Sequence, residues 1–221
     1  MLNLLYGYIE DSLPRQGDFI TNENLKKKVG PAGEMLPFFG NTCVFLLEEQ
    51  IKKALSGLGE RLHDAAGDML SQPLQKATYH MTLHDLANGP IRDGMLIAWM
   101  EQTKRAALPL LDSFRHLPPL QMRATWLFNM VNTSIVLGLA PENEESFRQL
   151  DGMYAALEQT RPLGYALTPH ITMAYFKPGC YDQGRLSALR AALQPVELSL
   201  QLPMEALCYQ EFSSMNDYET K

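Results

Sequence analysis

Residues 75–86 read QKATYHMTLHDL, and residues 167–176 read LTPHITMAYF. Both alternate apolar and polar side chains, the period-2 pattern of a strand with one face against a core. Each holds the same string, Thr-x-His-x-Thr: Thr78-Tyr79-His80-Met81-Thr82 in the first and Thr168-Pro169-His170-Ile171-Thr172 in the second. Strand parity sends Thr78, His80, Thr82 and His84 to one face and Tyr79, Met81 and Leu83 to the other. In the second stretch Thr168, His170 and Thr172 oppose Ile171, Met173 and Tyr175, while Phe176 shares the parity of His170. The apolar faces belong against helices, which leaves the polar faces to line a groove. A bulge after the motif would reverse the side of Tyr175.

The pattern repeats outward from these strands. Before the first lies NTCVFLL (41–47), an apolar strand, and then a helical stripe over 48–70 through Ile51, Leu55, Leu58, Leu62 and Met69. After it, Gly89 and Pro90 close the strand, a helix runs from about Asp93 to Phe114 across Pro109, and LQMRATWLF (120–128) reads as a strand. The order then restarts: strand TSIVLGL (133–139), a helix over 142–159 with Phe147, Leu150, Met153, Tyr154 and Leu157 on one stripe, then the second His-bearing strand. A helix capped by Asp182 follows, and then strand VELSLQL (196–202). Val44 lies 36 positions before His80, and Val136 lies 34 before His170. The reading is therefore an α+β, bilobal, pseudo-duplicated fold. Two antiparallel sheets form a central groove with helices packed outside, in one domain made of units at about 41–128 and 133–212.

Composition narrows the function. The 221 residues are 46% hydrophobic and 20% charged, those of an ordinary globular domain, with 19 basic against 25 acidic residues and a net charge of −6. That charge repels a long polyanion, so no long nucleic acid is expected as partner, and the run Lys26-Lys27-Lys28 reads as solvated surface. The stretch MLNLLYGYIEDSLPRQ (1–16) has no basic start ahead of an apolar run, so a cytoplasmic location and no membrane partner are expected. Cys43, Cys180 and Cys208 fit neither a disulfide framework nor a zinc ribbon.

One His-x-Thr is a weak signal; two at matching places in a repeat are a strong one. Imidazole has an ordinary pKa near 6.5, so one ring can be neutral and accept a proton while the other, kept charged by a phosphate, donates one. A hydroxyl two residues on can donate to a non-bridging phosphate oxygen.

With the motifs His80-Met81-Thr82-Leu83 and His170-Ile171-Thr172-Met173, the chain resembles the 2H phosphoesterase superfamily, which is defined by two His-x-Thr/Ser-x motifs. The upstream segment GEMLPFFGNT (33–42) resembles the stretch leading into the first strand in a poorly characterised branch of it. The resemblance implies metal-independent hydrolysis of a cyclic, 2′,3′-type, or RNA-terminal phosphodiester without a cofactor, on a small nucleotide or RNA-end substrate. It assigns His80 and His170 as the acid–base pair and Thr82 and Thr172 as phosphate binders. Which histidine is the acid stays open.

Thr78 and Thr168 are candidate groove-lining groups. His84 has groove parity, but position 174 opposite it in the repeat is alanine, which makes His84 a strand-end or rim residue; Phe176 is a further groove-lining candidate that could stack on a base, although core packing is the safer assumption. A non-catalytic nucleotide or RNA-end binder is the competing function. Zinc held by His80, His84 and His170 is the third, and it is disfavoured because regular strand geometry spreads the first two too far for one ion.

Overall fold

The computed structural model describes residues 12–221; the first part of the leader reading falls on residues outside these. The main body is one antiparallel sheet of eight strands in the order β10-β9-β2-β3-β6-β5-β4-β8. It carries four α-helices: α1 (Glu49–Ala66), α2 (Gly94–Phe114), α3 (Glu144–Glu158) and α4 (Gln183–Ala192). A small second sheet pairs β1 (Phe19–Ile20) with β7 (Cys180–Tyr181). The α+β class and the antiparallel sheets are as expected. The sheets of the two halves are fused: β3 (His80–Gly89) meets β6 (His170–Tyr175) edge to edge at the pair Met81↔Ile171.

The elements form where the hydrophobic period places them. α1 buries Leu55, Leu58 and Leu62, and α3 buries Leu150, Met153, Tyr154 and Leu157, each at helical spacing. Three helices begin on side-chain caps: Asp93 accepts from Leu96 N–H, Asn143 from Ser146 N–H, and Asp182 from Arg185 N–H, which satisfies donors that have no intrahelical partner.

Two features of the topology differ from a plain tandem repeat. The strand that ends each half pairs into the other half: β4 (Leu120–Met130) pairs with β5 (Ser134–Pro141), and β9 (Leu207–Ser214) pairs with β2 (Phe39–Leu46). The first of these follows from locality, because β4 and β5 are joined by the short turn 131–133 and close a hairpin before any distant partner can compete. β8 (Ser199–Leu202), the last strand of the expected second unit, lies at the outer edge against β4. The second feature is β10 (Asp217–Thr220): the acidic tail beyond Phe212, outside the expected repeat, is a strand folded back on β9. The three cysteines are free, and among the described residues no helix is long and apolar enough to cross a membrane.

The Gly-Asn pair that opens β2 has a physical reason. A Cβ on Gly40 would stand 2.4 Å from the Ala87 carbonyl oxygen, so β2 and β3 approach at a distance only glycine allows. Asn41, fully buried, accepts from Ala87 N–H at 2.8 Å and donates to Met100 O at 2.9 Å, to Thr103 Oγ1 at 3.1 Å and to Tyr209 Oη at 2.9 Å. One amide thus ties β2, β3, β9 and α2 together. Asn41→Ala strands the Ala87 N–H in the core. It is expected to cost about 1–3 kcal/mol, read in thermal unfolding as a loss of roughly 2–4 °C per kcal/mol for a chain of this size; an unchanged melting temperature would contradict the assignment.

Candidate active site

Both His-bearing strands begin at the histidine itself. The first strand was expected from residue 75, but 76–78 form a 3₁₀ turn instead. In an antiparallel pair centred on Met81↔Ile171, His80 faces Thr172 and Thr82 faces His170. Directly opposed side chains have Cβ atoms about 4.5–5.5 Å apart, and diagonal ones such as His80 and His170 roughly 7–8 Å. Met81 and Ile171 are fully buried on the other face. The two histidines and two threonines therefore make one patch, and all four line the same groove, of about 650 Å³.

The backbone holds the rings. His170 Nδ1 donates to the Thr168 carbonyl at 2.6 Å, and His80 bonds the Thr78 carbonyl, the equivalent residue two positions back. A carbonyl only accepts, so in His170 Nδ1 carries the hydrogen and Nε2 is left to accept or deliver a proton. Thr78 and Thr168 do line the groove. Their carbonyls act on the histidines, whereas the Thr78 hydroxyl turns away to Gln75 O at 2.7 Å.

Past each motif the strand bulges. Val44 pairs with Thr82 but Cys43 with His84, leaving Leu83 extra; Val136 pairs with Thr172 but Ile135 with Ala174, leaving Met173 extra. The side-chain alternation shifts by one in both strands, which places Asp85 and Tyr175 in the groove at equivalent positions. Phe176 moves the other way. It is fully buried, with its ring 4.7 Å from Phe19, so its candidate groove-lining role is corrected and the safer reading, core packing, holds. His84 is no rim residue: at 1% exposure it forms part of the groove wall, with Nε2 2.9 Å from Glu158 Oε1. Glu158 also accepts from Leu163 N–H at 2.9 Å, so His84 fastens β3 to the loop that leads into His170.

Sequence reading missed three further groove residues. Tyr218, on β10, sets its ring edge-on to His80 at 4.9 Å. Tyr175 donates to Met215 Sδ at 3.1 Å. Lys28 turns inward from the lysine run that was expected to be solvated throughout. Lys26 pairs with Glu23 and Lys27 with Asn24 at the surface, but Lys28 lies three residues after the buried Leu25, on the same face of a 3₁₀ turn. The apolar spacing held one usable signal for the bulges: it steps by two from Met81 to Leu83 and from Ile171 to Met173, then by three to Leu86 and to Phe176.

Burial pushes the His80 pKa down to about 4; the Thr78 carbonyl and Asp85 resist that, and His170 and Lys52 add to it. His170 is also lowered by burial, against the Thr168 carbonyl and Asp85.

No family model matches the sequence, and no curated protein does. Solved structures match it along most of its length. A conserved protein of unknown function from Agrobacterium tumefaciens is 19% identical, with 100% of this chain and 98% of that one covered and a TM-score of 0.64. A Thermus thermophilus protein is 18% identical, with 82% and 94% covered and a TM-score of 0.54. Escherichia coli LigT, solved with 3′-AMP, is 10% identical, with 83% and 95% covered and a TM-score of 0.55. The chain has the LigT fold. The paired His-x-Thr motifs, which pointed to this architecture, line the groove of this chain.

A half-buried neutral histidine links stability to pH. The unfolded ring, with its ordinary value near 6.5, binds a proton before the folded ring does, so His80 withdraws stability as pH falls from about 6.5 toward 4. Thermal unfolding of His80→Asn should lose less between those pH values than the wild type; parallel curves would show that the ring titrates as it would in water.

Proposed function

We propose that the protein is a 2H-type phosphodiesterase that hydrolyses a cyclic, 2′,3′-type, or RNA-terminal phosphodiester, with His80 and His170 as general acid and base and with no metal. The observation that carries this is the register at Met81↔Ile171, which sets each histidine beside the other motif's threonine on a single groove face. The matching bulges and the pairs Val44↔Thr82 and Val136↔Thr172 support reading the halves, about 41–128 and 133–212, as a duplicated unit. The fold shared with LigT, solved with 3′-AMP, supports a nucleotide-sized substrate.

The patch can run the reaction in both directions of proton flow. The phosphate sits between the rings, with non-bridging oxygens accepting from the Thr82 and Thr172 hydroxyls. The neutral histidine takes a proton from water as the water oxygen bonds to phosphorus. The protonated histidine gives its proton to the leaving oxygen as that P–O bond breaks. The histidines finish with exchanged protonation states, and solvent resets them. Asp85 favours the charged form of both rings, and so does the bound anionic phosphate.

Three results test this. Hydrolysis of 2′,3′-cyclic AMP should fall by at least about a hundredfold in His80→Ala and in His170→Ala and should persist in chelator; wild-type turnover in both variants would end the proposal. Both limbs of the bell-shaped kcat/KM profile should lie on the acid side of the ordinary imidazole value near 6.5, because burial lowers both rings in the free protein. Asp85→Asn, which removes a charge that raises both rings, should shift the alkaline limb to lower pH; a limb that stays put would place Asp85 outside the proton relay.

A further inference from the structure

The acid–base reading leaves Lys28 without a task. Of the described residues lining the groove, Lys28 is the only lysine or arginine. Its ammonium lies 4.9 Å from the ring centre of Phe38 and 5.9 Å from that of Tyr175. Among the described residues no carboxylate stands within ion-pair distance of it, in contrast to Lys26, Lys52, Lys76 and Lys104, each of which has one. A cation drawn out of water needs an anionic or hydrogen-bonding partner to offset its lost hydration, and two aromatic faces offset only part of that. Burial acts on the amine accordingly, lowering its pKa against the pull of Asp85.

The position of the ammonium says where the missing anion belongs. Thr172 stands beside His170 near the start of β6, and Tyr175, three residues on at its end, turns its ring to Lys28. Three strand residues span roughly 7–10 Å, so Lys28 stands one aromatic ring away from the histidine patch. We propose that Lys28 forms an anion subsite beside that patch, and that the substrate carries a second phosphate on the Tyr175 side of the scissile one. A nucleotide with phosphate on both sides of its ribose is the simplest ligand of this kind. The inference rests on the phosphodiesterase reading and narrows its substrate class.

Titration of 3′-AMP and of adenosine 3′,5′-bisphosphate into the full chain, wild type and Lys28→Met, at one ionic strength, tests it. The wild type should bind the bisphosphate at least about tenfold more tightly, the range of one charge-assisted hydrogen bond. Lys28→Met should bind the two ligands alike, with 3′-AMP affinity within about twofold of wild type, and Lys28→Arg should restore the preference. A thermal melt confirms that each variant is folded. Equal wild-type affinities, a preference that survives in Lys28→Met, equal weakening of both ligands, or no binding of either would each overturn the subsite. Hydrolysis of 2′,3′-cyclic AMP, which lacks the second phosphate, judges the phosphodiesterase reading separately.

Discussion

A single backbone pairing, Met81 against Ile171, is the constraint on which the groove depends. Strand side chains alternate, so driving these two apolar residues into the core forces their neighbours out to the opposite face as a set. A slip of one residue would bury both histidines and expose Met81 and Ile171. The hydrophobic effect fixes the register, and the register places the chemistry. The histidine rings cost stability where they sit, since burial disfavours their charged forms, and the backbone carbonyls of Thr78 and Thr168 offset part of that cost.

The bulges at Leu83 and Met173 extend the same logic past the motif. Each inserts one residue, flips the alternation and delivers one further group to the groove, a carboxylate on one strand and a phenol on the other. The same flip sends Phe176 against Phe19 and takes His84 to Glu158. Local irregularity in the ladder thus decides which side chains face the groove and which hold the wall behind it.

Much of this was legible in the residues. The helical stripes at Leu55, Leu58 and Leu62 and at Leu150, Met153 and Leu157, the cap at Asp182, and the paired Thr-x-His-x-Thr strings needed only period and spacing to read. What stayed hidden depends on partners far along the chain. A bulge is defined by the strand opposite, so the positions of Asp85 and Tyr175 emerge only once β2 and β5 are laid beside them. Tyr218 reaches His80 because β10 folds back on β9, and a four-residue strand of mostly exposed polar groups has no hydrophobic pattern of its own to announce it. Lys28 looked like its two neighbours because charge composition does not record which way a short 3₁₀ turn faces.

The matched bulges give the groove a polarity. Two histidines and two threonines related by the pairing of β3 and β6 would, by themselves, treat a phosphodiester alike whichever end entered first. Asp85 and Tyr175 stand at corresponding points and differ in charge, so the mirror-like frame carries unequal fields at its two ends. Two strands that match in register and bulge are in this way unlike in their electrostatics, and the groove between them has a front and a back.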